Sequence, residues 1–367
     1  MVGSVDSEVS GESNFEYVTS RVRVRKSKLF DEDDYRKLVR MQPNEIARFM
    51  EESEYSREVD RLASRYTGVD LIEYALYDNM ARHFSDIVRW SNGKLHSLVV
   101  EYLRSYDAWN IKTVLRGVYT GATETEIKND LILAGELDEE FFDQIVGLED
   151  VEQVVEAVSD TVFGDSLKDA VSEFRETGVL LPLENAVDRT FYEQLVGSDG
   201  DLGEALQSKY QSGQGPRQVY NDLLRVEIDI LNIRNTVRVA EEMENVDISD
   251  YFIEGGKVFS EDDLKRLSGN REELLNALRE SEYGDRLEDA ITSLEEAGSL
   301  TEFDEAIDRV LMGYSQRMTY QYPLSMAPVI SYILHKEREV ANIRAIARGK
   351  EAGLSREEIE DTIMVVE

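Results

Sequence analysis

Apolar residues recur at helical spacing along most of the chain. In 44–50 they are Ile46, Ala47, Phe49 and Met50, and in 272–278 Leu274, Leu275, Ala277 and Leu278. This is the pattern of a helix that buries one face. The same reading predicts long helices over 98–119, 218–244 and 327–348. Only 5 prolines interrupt 367 residues, so helix is the default state.

The pattern repeats. Asp107-Ala-Trp-Asn110-Ile111-Lys112 matches Asp229-Ile-Leu-Asn232-Ile233-Arg234 and Glu339-Val-Ala-Asn342-Ile343-Arg344. The shared form is acid-x-x-Asn-Ile-base. A second string opens on an apolar residue and an acidic turn: Phe30 to Tyr35, Leu137 to Phe142, Phe259 to Leu264 and Leu354 to Ile359. It reads as a helix start, with Asp31, Asp138 or Ser260 as N-cap and acids in the first turn, where the macrodipole favours them. A third string, Glu54-Tyr55-Ser56, Val162-Phe163-Gly164 and Tyr283-Gly284, marks a helix–helix turn. A fourth, Tyr77-Asp78, Val187-Asp188 and Ile307-Asp308, falls in another helix.

One helical unit used three times accounts for this order. The expected units are 15–120, 121–245 and 246–367, the last with a closing C-terminal helix. The segment 15–28 leads into Phe30 without a unit before it, and 354–364 reads as the start of a fourth unit. The expected architecture is therefore all-α, three similar units in a pseudo-three-fold funnel whose ends supply complementary parts. Single units of this kind cannot bury their apolar faces alone.

Composition changes the picture in one respect. With 41 Lys+Arg against 76 Asp+Glu, the formal charge is −35. That disfavours nucleic acid and anionic lipid as partners. Of the basic residues 12 are Lys and 29 Arg. Many acids with few lysines indicate a salt-rich cytosol, where screening removes self-repulsion; the expected source is halophilic. Zero Cys excludes disulfides and thiolate chemistry and fits an intracellular protein. Asp6, Glu8 and Glu12 stand where a signal peptide would be basic and apolar. The longest uncharged run, 318–335, contains Pro323, Pro328 and several polar residues, and reads as a poor membrane span.

The chemistry that an enzyme needs is not assembled in the sequence. Gly256-Lys257 lacks the rest of a phosphate-binding loop, and no Gly-rich turn opens a helix. His83, His96 and His335 are far apart and read as surface or satisfied core residues. The pairs Asp33-Asp34 and Asp262-Asp263 resemble a diphosphate–magnesium site, but their recurrence at each helix start favours capping. Asp199-Gly200-Asp201 reads as a turn. Neither cofactor nor metal is expected. In the Asn motif, the acid, Asn and Ile share one helical stripe, and the Asn reads chiefly as a register-fixing hydrogen bonder. Its bases Lys112, Arg234 and Arg344 read secondarily as lining a shared cavity. Arg21, Arg23, Arg25, Lys26 and Lys28 form a basic cluster that is either a solvated helix face or a contact for an acidic partner.

These strings resemble a known family, the C subunits of archaeal A-type (V-type-like) ATP synthases, related to the d subunit of eukaryotic vacuolar ATPases. The similar segments are Arg21 to Leu29, Tyr106 to Gly117, and Pro328 to Arg344 followed by Gly349-Lys350 and Gly353-Leu354. His335 departs from the small residue expected before Lys336-Glu337. The resemblance implies a three-lobed funnel seated on a membrane rotor ring (subunit K, c-type) and gripping a stalk of subunits D and F. It implies a non-catalytic coupler between proton or sodium translocation and ATP synthesis, peripheral on the cytoplasmic face of the cell membrane. The expected partner contacts are Arg21, Arg23, Arg25, Lys112, Arg234, Arg344, and, toward the ring, Tyr322 and Pro323. Two other classes fit the residues less well: a free-standing helical-repeat scaffold, and an all-α enzyme acting on a diphosphate.

Overall fold

The computed structural model describes residues 12–197, 216–242 and 248–365, and every regular element among them is helical. The all-α expectation holds. The Asp199–Asp201 turn lies outside the described residues, as do positions 243–244 at the end of the second long helix. The three helices with the Asn motif run Ser105–Thr120, Pro216–Glu242 and Ala327–Glu351. The first differs from expectation. A helix over Gly93–Leu103 ends in an Arg104 C-cap, whose N–H reaches Val100 O at 3.1 Å, and the chain restarts as a separate helix at Ser105.

The predicted N-caps all form. Asp34 N–H donates to Asp31 Oδ1 at 3.0 Å, Phe141 N–H to Asp138 Oδ1 at 2.9 Å, and Asp263 N–H to Ser260 Oγ at 3.2 Å. Each satisfies an N–H that the first helical turn leaves without an internal partner. The acid pairs Asp33-Asp34 and Asp262-Asp263 lie in these first turns. Helices begin at Gly164 and Gly284, where the third string placed its turn.

The chain divides into two compact units. One gathers the described residues up to Asn110 with Asn129–Phe141 and Pro323–Val365; the other holds Ile111–Lys128 and Phe142–Tyr322. In the first, the helices Phe15–Lys26 and Gly68–Trp90 pack on Ala327–Glu351. Val18, Val22, Ile72, Phe84, Ile333 and Ile343 are buried there. In the second, Pro216–Glu242 packs on Leu300–Gln321. Ile233, Leu278, Leu287, Ile291, Leu294 and Ile307 centre that core. Each such side chain contributes about 1.5–3 kcal/mol by leaving water.

Contacts within the units correct two sequence registers. Leu354 to Ile359 is the counterpart of Ala122 to Ile127 rather than of Phe30 to Tyr35. Gly117 faces Ile127 as Gly349 faces Ile359: a Cβ on either glycine would lie 2.4 or 2.8 Å from the Ile Cγ1. Thr123 and Ser355 then cap matching helices, with Glu126 and Glu358 returning to the cap N–H groups at 2.8 and 2.7 Å. The sequence match failed because capping boxes look alike wherever they occur. In the fourth string, Tyr77 rather than Asp78 is the counterpart of Asp188 and Asp308, as the ion pairs below show.

Candidate functional site

Each motif asparagine is buried and holds both backbone groups of one distant residue. Asn110 Nδ2 donates to Ile132 O at 2.9 Å, and Ile132 N–H donates to Asn110 Oδ1 at 2.8 Å. Asn232 does the same with Ile253 at 2.8 and 3.0 Å, and Asn342 with Met364 at 2.8 and 3.1 Å. The side-chain amide thus replaces a strand neighbour for an otherwise irregular segment, whose buried polar groups need partners.

The motif acid holds the segment that follows. Asp107 accepts from Glu136 N–H at 2.8 Å and Leu137 N–H at 3.0 Å. Asp229 accepts from Lys257 N–H at 2.7 Å, Val258 N–H at 3.1 Å and Tyr283 OH at 2.9 Å. Gly135 and Gly256 make this approach possible, since a Cβ there would sit 2.0 and 2.3 Å from the carboxylates. Burial pushes Asp107 up to about 7 against the pull of its two N–H donors, and raises Asp229 likewise.

The third copy uses both terminal segments. Glu339 accepts from Phe30 N–H and Tyr55 OH, each at 2.5 Å. Tyr55 stands where Phe163 and Tyr283 stand in the other copies. Lys336 Nζ completes the cluster, 2.8 Å from both Tyr55 OH and Glu339 Oε1. Burial lowers the Lys336 pKa, and the adjacent Glu339 opposes that shift. Beside it, His83 Nδ1 meets Tyr332 OH at 2.5 Å. Burial, with Lys336 and Arg25 nearby, drives this imidazole far below its usual range. Lys26 Nζ reaches Ser331 Oγ at 3.0 Å, and burial brings that amine down to about 8. Sequence reasoning missed this seam. Its available signal was the shared acid position of Glu339 together with the tyrosine common to the first and third copies of the third string.

The three motif bases each meet a carboxylate. Lys112 Nζ lies 2.5 Å from Asp188 Oδ1, and four residues on, Arg116 binds Glu184 at 2.5 and 2.9 Å. Arg234 binds Asp304 and Asp308 at 2.9 and 2.6 Å, and Arg238 binds Asp304 at 2.6 Å. Burial would lower the Arg234 pKa, but Asp308 and Asp304 hold it raised. Arg344 lies 2.8 Å from Glu73 Oε1, with Arg348 on the same carboxylate. Tyr77, a turn after Glu73, takes the place of Asp188 and Asp308, and the Arg344 guanidinium lies 5.9 Å from its ring centroid.

The other candidates are scattered. Arg25 is half-buried, donates to His83 O at 2.9 Å and pairs with Asp86. Arg21 and Arg23 are exposed on the same helix. Tyr322 is half-buried and follows the Leu300–Gln321 helix as its C-cap; Pro323 is exposed. His335 is half-buried against Ser331 O at 2.6 Å, and burial lowers it to about 4.

Among the described residues no group of three or more His, Cys, Asp or Glu is placed to hold a metal ion. No described helix is long and apolar enough to cross a membrane. What recurs is a frame of asparagine clip, acid anchor and base–carboxylate pair. The model of the ATP synthase (C/AC39) subunit family matches residues 18–362, which includes Asn110, Asn232 and Asn342 with their motif acids and bases. The chain belongs to this family. Among its relatives, the C subunit of an A-type ATP synthase from Haloferax volcanii is 50% identical, covering 97% of this chain and 99% of the relative. The corresponding protein of Halobacterium salinarum is 45% identical over 97% and 99%. That of Methanosarcina barkeri is 34% identical over 98% and 96%. The first two organisms are halophilic archaea, in keeping with the acidic, lysine-poor composition. The family makes the chain an ATP synthase subunit.

Proposed function

We propose that the chain is the non-catalytic central-stalk subunit of a rotary A-type ATP synthase. In this reading it joins the stalk of subunits D and F to the membrane rotor ring (subunit K, c-type). Torque passes through it between ion flow and ATP synthesis, and no bond is made or broken in it. It would sit on the cytoplasmic face of the cell membrane, held there through the ring.

The observation that carries the reading is the repeated frame, whose third copy joins the segments near Phe30 and Glu339. A part that transmits torque has to resist shear between its helices. Directional hydrogen bonds to backbone, set in a packed core, resist sliding better than apolar contact alone. Arg21, Arg23, Tyr322 and Pro323 remain proposed partner contacts. Lys112, Arg234, Arg344 and Arg25 support such contacts only indirectly, because each already has a carboxylate partner. The test is co-purification: a tagged chain should bring down the D–F stalk and the ring in molar salt. Recovery without any rotary ATPase subunit would refute the proposal.

A further inference from the structure

The Phe15–Lys26 helix buries Val18, Thr19 and Val22 within its own unit. Its exposed side carries Glu16, Ser20, Arg21 and Arg23, as a surface helix does, but two large apolar residues interrupt it. Tyr17 and Val24 point outward, 48% and 58% exposed. Between them, the Arg21 guanidinium lies 4.5 Å from the Tyr17 ring centroid and 4.8 Å from that of Trp90. Tyr17, Arg21 and Val24 stand at i, i+4 and i+7, so they form one stripe.

The charge of this segment is opposite to that of the chain. Residues 15–28 carry Arg21, Arg23, Arg25, Lys26 and Lys28 against the single acid Glu16, in a chain of net charge −35. Arg25 and Lys26 are used inside the fold, and Lys28 meets Glu54 at 2.7 Å. Arg21 and Arg23 remain exposed.

We propose that the Tyr17–Arg21–Val24 stripe, with Arg23 on its flank, docks an acidic amphipathic helix of another protein subunit. The apolar residues are one heptad apart, the spacing at which a second helix returns to the same seam. Carboxylates on that helix fit Arg21, whose planar guanidinium is held by two rings and can bind them through two parallel hydrogen bonds. The mixture of contacts also suits strong salt. At 1 M the screening length is about 3 Å, so charge alone would hold little, whereas burial of Tyr17 and Val24 is not screened.

This inference rests on the proposed place in the synthase, which supplies the assembly for its test. A photoreactive p-benzoylphenylalanine replaces Val24, and the intact synthase, purified in molar potassium chloride, is irradiated. The expected adduct is to an Asp/Glu-rich helical segment of a different subunit. Arg21→Glu should lower its yield at least tenfold while the isolated subunit keeps its melting temperature. Should Arg21→Glu disturb folding, Arg23→Glu, at a side chain outside the ring stack, is expected to lower the yield several-fold. The subunit's presence in the purified synthase is scored separately. Its absence overturns the functional reading and the docking surface with it. Its presence with adducts only to lipid, only within its own chain, or with none, overturns the docking surface alone.

Discussion

Asn110, Asn232 and Asn342 carry the frame because each pairs with a donor and an acceptor that water cannot reach. Removing one leaves a buried N–H and C=O without partners, which costs about 1–3 kcal/mol. Asn110→Ala and Asn232→Ala are expected to lower the unfolding free energy by that amount in urea titrations, whereas alanine at an exposed asparagine or serine changes it little; equal effects would refute the clip. His83 predicts a pH response. Its folded pKa is depressed, so the unfolded state binds the extra proton as pH falls below the free value of about 6.5, and stability is lost in that direction. The loss at pH 5 is about 2 kcal/mol from this group. Asp107 has the opposite slope: its raised pKa withdraws stability as pH rises from about 4 toward 7. Imidazole ¹⁵N shifts should therefore show His83 still neutral at pH 5, and a titration near 6.5 would contradict its burial. That the asparagines hydrogen-bond within the core was legible in the sequence, because a polar residue on an apolar stripe needs a partner; that they pin an irregular segment rather than the register of one helix on another was not. Which backbone each one holds was not, since the partner lies 21–22 residues away in an irregular segment.

At the scale of elements, the short helix Arg356–Glu360 is the clearest test of the repeat. It brings Ile359 against Gly349 and delivers Met364 to Asn342; Ile359 and Met364 are both buried. Truncation after Gly353 removes both side chains from the core and leaves the Asn342 amide without its backbone partner. The expected cost is about 3–6 kcal/mol, counting about 1.5–3 for each buried side chain. Stalk binding and coupled ATP synthesis should fall with it, while hydrolysis by the isolated head is untouched. An unchanged urea midpoint would show that the segment is not part of the frame. Helix positions and caps were readable from periodicity and from Asp31, Asp138 and Ser260. The register of the fourth string was not, because Tyr77 does by ring contact what Asp188 and Asp308 do by charge. The polar seam of Tyr55, Lys336 and Glu339 was hidden for another reason: Lys336 and Glu339 lie 281 and 284 residues from Tyr55 along the chain.

For the molecule as a whole, net charge sets the conditions under which the fold survives. Ion pairs such as Arg234–Asp308 and Arg344–Glu73 are neutral in themselves, so a surplus of 35 acids over bases stays uncompensated. Withdrawing salt lengthens the screening distance from about 3 Å at 1 M to about 30 Å at 0.01 M, so self-repulsion grows. The melting temperature should fall steadily between molar and millimolar potassium chloride; a constant value would oppose the reading of the acidity. The central claim is mechanical, and its most direct measurement compares synthase reconstituted into vesicles with and without this subunit. With it, ATP hydrolysis is expected to drive ion uptake. Without it, the head is expected to hydrolyse ATP at an undiminished rate while uptake disappears. Uptake that persists without the subunit would contradict the account.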